Sequence, residues 1–106
     1  MNEINNDVWD RPDARQFSEL LVDIADVVEM QNLLRDVMTE KEIVEISARL
    51  RAAQMLSEDK KYTEIIKVTK LSSRTVARIS QWMNNGTGGY ASALKNHAHL
   101  PPAQAD

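Results

Sequence analysis

The chain has no cysteine, only three glycines and three prolines in 106 residues, and aromatic side chains at 5%. Each shortage excludes something. Without cysteine there is no disulfide scaffold and no thiolate metal site. So few glycines and prolines do not suit a turn-rich β fold, whereas 27% charged residues suit a helical one. No apolar run approaches the roughly 20 residues needed to cross a bilayer. The opening MNEINNDVWD is polar and acidic where a secretory signal is basic and then apolar. The expectation is therefore a cytoplasmic protein with no membrane partner. The length suits one domain. A domain of this size buries only about 60–65% of its chain surface, so an oligomer interface would supplement its stability.

What is present is unevenly charged. Residues 1–59 carry fourteen acidic and six basic side chains, whereas residues 60–95 carry seven basic side chains and one acid, Glu64. Such asymmetry points to an anionic partner for the second half better than the overall charge of −3 does. A merely solubilising dipolar surface is the plainer alternative.

Apolar periodicity organises the chain into about six helices, an all-α fold. Asp10 and Pro12 suit a helix start. Phe17, Leu20, Leu21, Ile24, Val27 and Val28 then recur at spacings of three and four, one continuous stripe. A second apolar set, Leu33, Leu34, Val37 and Met38, is expected after the polar pair Gln31-Asn32. Thr39 and Glu42 form a capping box, with the Thr39 hydroxyl positioned to accept the Glu42 amide proton. The helix it opens carries Ile43, Ile46, Leu50 and Ala53 and runs to about Ser57. Two shorter helices follow at roughly 62–69 and 73–84, the second with Ser72 as N-cap. Asn84-Asn85-Gly86 is expected to close it in the left-handed conformation that Asn and Gly accept. Tyr90, Ala93 and Leu94 mark a last short helix. Residues 1–9 read as a flexible N-terminus, 10–95 as the helical domain and 96–106 as a disordered tail.

The helix at 73–84 is unusual for an acidic protein. At 100° per residue Val76, Ile79 and Met83 share one face. Arg74, Ala77, Arg78, Gln81 and Asn85 share the other, with Trp82 at the border and no carboxylate. Arg and Gln pair bidentately with guanine and adenine edges in the major groove, and a small Ala77 allows close approach. The preceding helix and the tight Lys70-Leu71-Ser72 connection complete a helix-turn-helix over about 62–84, with Ile65, Leu71, Val76 and Ile79 at the spacing of its core. Lys60, Lys61, Lys67 and Lys70 then flank the groove and meet phosphates. Two positions are atypical: Ile66 stands where a small residue is usual, and Lys70 where glycine is common.

From Met38-Thr39-Glu40-Lys41-Glu42 through Arg49-Leu50-Arg51 to Leu94, the order of features resembles the Trp repressor family. The closing Asn84-Asn85-Gly86-Thr87-Gly88-Gly89-Tyr90 resembles its YerC/YecD-type branch. The resemblance covers roughly residues 10–95. It implies an intertwined homodimer built from the N-terminal helices, with one helix-turn-helix per subunit on a double-stranded DNA operator. It also implies a transcriptional regulator, in the first instance a repressor. Ser72, Ser73, Arg74 and Ala77 would lie nearest the bases, joined on the same face by Arg78 and Gln81. In the repressor that names the family the tryptophan indole lies between two arginines, with a glycine after the second. Arg49 and Arg78 match the arginines and Thr39 a residue at the pocket edge, but Ile79 stands at the glycine. Its branched side chain takes the ring's space, or else serves the helix-turn-helix core. Tryptophan is thus not expected as corepressor, and no cofactor is expected.

Weaker signals point elsewhere. His97 and His99 lack a third metal ligand. The run Gly86–Gly89 follows a helix rather than a strand and lacks the Lys of a phosphate loop. Trp82 could stack on a base or fill a dimer core. Neither a Ser–His nor a Cys–His constellation is visible, so an enzyme is not expected. The rival reading is a protein-interaction module that keeps the helix-turn-helix scaffold and works through its acidic N-terminal helices.

Overall fold

The computed structural model describes residues 7–96. It contains a 3-10 turn at Val8–Asp10 and six α-helices: α1 (Pro12–Asp23), α2 (Val27–Val37), α3 (Glu40–Ser57), α4 (Tyr62–Thr69), α5 (Ser73–Asn85) and α6 (Gly89–Asn96). No strand occurs among the described residues. Most of the expected flexible N-terminus and of the expected tail, with His97 and His99, lies outside them. The chain divides into two compact units, one ending at Glu40 and one beginning at Lys41.

In the N-terminal unit the 3-10 turn is capped by Asp7, whose Oδ1 accepts the Trp9 amide at 3.0 Å. Arg15 Nε reaches back to the Trp9 carbonyl at 3.3 Å, and Pro12 opens α1 where a missing N–H costs nothing. The apolar stripe from Phe17 to Val28 is not continuous, contrary to the periodicity. Ile24 is extended (φ −94°, ψ 112°) and ends α1. Asp26 then caps α2, its Oδ2 accepting the Glu29 amide at 2.9 Å. A carboxylate at an N-cap satisfies an orphan amide and faces the positive helix end, which outweighs the continuing apolar period. The polar pair Gln31-Asn32, which precedes the second apolar set, lies inside α2. No described residue of this unit is buried, and Val22, Val27, Val28 and Val37 are each more than half exposed.

The C-terminal unit holds the core. Ala52, Ala53 and Met55 of α3, Ile65 of α4, and Val76 and Ile79 of α5 form one buried cluster. The two alanines let the helices approach closely, and Leu56, Ile66, Leu71, Met83, Tyr90 and Leu94 pack around the rim. Ile66, bulky where a small residue is usual, is accommodated there. Burial of a Met, Ile or Val side chain contributes about 1.5–3 kcal/mol. Helix α3 closes with paired bonds from Lys60 N to the Met55 carbonyl (3.0 Å) and from Asp59 N to the Leu56 carbonyl (3.0 Å). Asp59 is left-handed there, at φ 61°. Two crossed bonds of this kind recover carbonyls the helix would leave unpaired.

The turn between α4 and α5 is built by a left-handed Lys70 (φ 64°, ψ 12°), whose amide donates to the Ile66 carbonyl at 2.8 Å. Thr69 braces it, its hydroxyl donating to the Ile65 carbonyl (2.7 Å) and accepting from the Leu71 amide (3.3 Å). Gly86 ends α5, but in an extended conformation (φ −88°, ψ −153°), not the left-handed one expected. Glycine is needed for another reason. A Cβ at Gly86 would overlap Cε3 and the carbonyl oxygen of Trp82, one helical turn earlier. The left-handed glycine is Gly88, at φ 90°, immediately before α6.

Candidate nucleic-acid interface

Helix α5 starts cleanly. The Ser72 hydroxyl accepts the Thr75 amide at 3.1 Å and donates to Thr75 Oγ1 at 3.0 Å. Ser72, expected near bases, is thus engaged in capping, and Thr75 completes the cap, a role the sequence pattern alone did not show. A hydroxyl-bearing residue three positions after a serine N-cap was the available signal.

Burial along α5 follows the expected faces. Val76 and Ile79 are buried, while Ser73, Arg74, Ala77, Arg78, Gln81 and Asn85 are exposed. The exposed face carries two guanidinium groups and two amides and no acid. All of these groups are fixed on one rigid helix whose back is set in the core. Geometry of this kind suits donor-rich reading of base edges. The four lysines lie on or beside the preceding helix α4. Lys61 precedes the first residue of α4, Lys67 is in its last turn and Lys70 caps it, all three exposed; Lys60, half-buried, precedes them. Glu64, in the first turn of α4, is the one acid on that helix.

Three hollows surround α5. One, about 400 Å³, is lined by Arg78, Gln81, Trp82, Asn85 and Gly86. A second of about 310 Å³ lies between Leu50, Trp82 and the Thr87–Tyr90 segment. The third, about 260 Å³, brings together Arg49, Arg78 and Ile79 with Thr75, Trp82 and Tyr90. Three of the four residues matched to the repressor's effector pocket therefore share one hollow, and Thr39 belongs to the N-terminal unit. Ile79 is 4% exposed and belongs to the core cluster, so the plainer account of it applies, although its edge still lines the hollow. Arg49 pairs with Glu45 one turn earlier on α3 at 3.6 Å, an exposed contact worth little by itself. Trp82 borders all three hollows and is 52% exposed within the chain. Helical spacing puts it only at the border of the exposed basic face, and its ring lies against Gly86.

Among the described residues no helix is long and apolar enough to cross a membrane. Residues 13–98 match the family model of the Trp repressor protein. The YerC protein of Bacillus subtilis, itself uncharacterized, is 30% identical over 79 residues, covering 74% of this chain and 76% of that protein. A crystal structure of a TrpR-like protein from Eubacterium eligens superposes with a TM-score of 0.81 at 27% identity, covering 88% of this chain and 96% of that one. With the fold of a TrpR-like protein and a family-model match over most of its length, the chain belongs to the Trp repressor family, in its YerC-like group.

Proposed function

We propose that this chain is a sequence-specific DNA-binding regulator, a repressor that reads its operator through α5 as a homodimer and needs no tryptophan. The observation that carries the reading is the exposed, carboxylate-free face of Arg74, Ala77, Arg78 and Gln81, seated on a buried helix-turn-helix core. Family membership supports the fold of the reading head and the repressor mode. Apolar side chains left open on α1 and α2, Phe17, Leu20, Val27 and Val28 among them, support a second copy as their cover. Independence from tryptophan rests on Ile79 and Trp82, side chains of this chain that already wall the matched hollow.

Selection of bound sequences from a random duplex pool, followed by a salt-dependent mobility shift, tests it. Arg74→Ala should relax base preference at one position and cost about 1–3 kcal/mol. If the parent shows no salt-dependent shift, the acidic N-terminal helices become the working surface and the chain is an interaction module. If the parent binds but Arg74→Ala selects the same sequences, α5 is not the reading helix.

A further inference from the structure

We propose that Trp82 is a further specificity-determining residue, its indole packing on the 5-methyl group of a thymine in the operator half-site. The inference rests on the DNA-binding reading above. It starts from an indole that is held in place and yet half exposed. The benzo ring lies against the Gly86 backbone, so closely that a Cβ there would overlap Cε3 and stand 3.1 Å from Cζ3. No side chain separates ring from backbone, and the only residue that permits this contact is the one present. The ring opens onto the hollow of about 400 Å³ that it shares with Arg78, Gln81 and Asn85.

That hollow has a definite chemistry. It offers one apolar plane beside a guanidinium and two amides, with no carboxylate among its lining residues. In the major groove thymine presents an acceptor, O4, next to an apolar methyl. An N–H from Arg78, Gln81 or Asn85 donates to O4 while the indole covers the methyl. Guanine and adenine lack the methyl, and cytosine offers a donor where O4 would be. Position follows from helix geometry. Trp82 lies eight residues beyond Arg74, about 12 Å along α5 at roughly 1.5 Å per residue. At that separation one helix residue cannot serve both positions, so the thymine is a different base from the one read by Arg74.

The test uses the full chain and its selected operator, with each thymine of one half-site replaced in turn by deoxyuridine. One substitution, at a position other than the one relaxed by Arg74→Ala, should weaken the parent about fourfold, the loss for one buried carbon. Trp82→Ala should bind the parent operator more weakly and ignore that substitution. Trp82→Phe, a milder change, should keep the sensitivity. In a Trp9→Phe background the remaining indole emission should change on operator addition. The proposal is overturned if no uracil position separates the parent from Trp82→Ala. It is also overturned if Trp82→Ala converts a dimer to a monomer in light scattering, which would place the indole in the subunit interface. In either case the parent's salt-dependent binding stands, whereas a parent that binds no operator removes the DNA reading itself.

Discussion

Lys70 combines two demands that one substitution can separate. Its backbone is left-handed, at φ 64° and ψ 12°, a conformation that costs an L-residue about 1–2 kcal/mol. Glycine removes that cost and keeps the amide that donates to the Ile66 carbonyl at 2.8 Å. It also frees the unfolded chain, which offsets about 0.4–1 kcal/mol of the gain. Lys70→Gly should therefore stabilise the fold by about 0.5–1 kcal/mol, raising Tm by roughly 2–5 °C for a domain of this size. The same change deletes a cation proposed to meet a phosphate. In each subunit the slope of log affinity against log salt should shrink by about 0.9, the value for one phosphate no longer neutralised. Calorimetry and a salt titration of operator binding read the two effects from one protein. A lower Tm would refute the conformational account of the turn, and an unchanged slope would remove Lys70 from the groups that meet phosphates. Both outcomes together would leave no reason in this structure for lysine at the position.

Three other substitutions or additions test separate parts of the structure. Ser72→Ala removes the oxygen that accepts the Thr75 amide at 3.1 Å, and a urea titration should show a loss of about 1 kcal/mol. Gly86→Ala forces the indole or the last turn of α5 to shift, at about 1–3 kcal/mol, with a change in Trp82 emission in the folded protein. Millimolar tryptophan should leave both Tm and operator affinity unchanged, whereas a ligand at a hundred times its dissociation constant would add about 2.7 kcal/mol of stability.

The C-terminal unit is largely legible in the sequence because its helix ends carry local chemical marks. Ser72 and the acid-and-lysine connection at 58–61 bound α4 and α5 to within a residue. The buried set of Ile65, Val76 and Ile79 follows from spacing alone. The α1–α2 boundary is harder to see, because the apolar period continues across residues 24–26 while the break depends on one carboxylate. Its mark, Asp26 followed three positions later by Glu29, resembles a capping box but sits inside an apolar run. Gly86 shows the other limit. A glycine after two asparagines looks like an ordinary left-handed helix end, and only the placement of an indole four residues earlier reveals a steric requirement instead. The hollows around Trp82 were hidden for the same reason, since they depend on which way one side chain lies.

Helices α1 and α2 have no fully buried residue within the chain. Apolar surface left wet contributes nothing to holding a helix together, and helices of 12 and 11 residues are marginal by themselves. For the proposed dimer, folding of this half and assembly are then one equilibrium, set by protomer concentration. Abundance would govern more than operator occupancy. As the regulator is diluted through growth, a rising share of its molecules would carry unfolded N-terminal segments open to proteases. Repression lost by dilution would then end in removal of the chain, so that restoring it requires new synthesis.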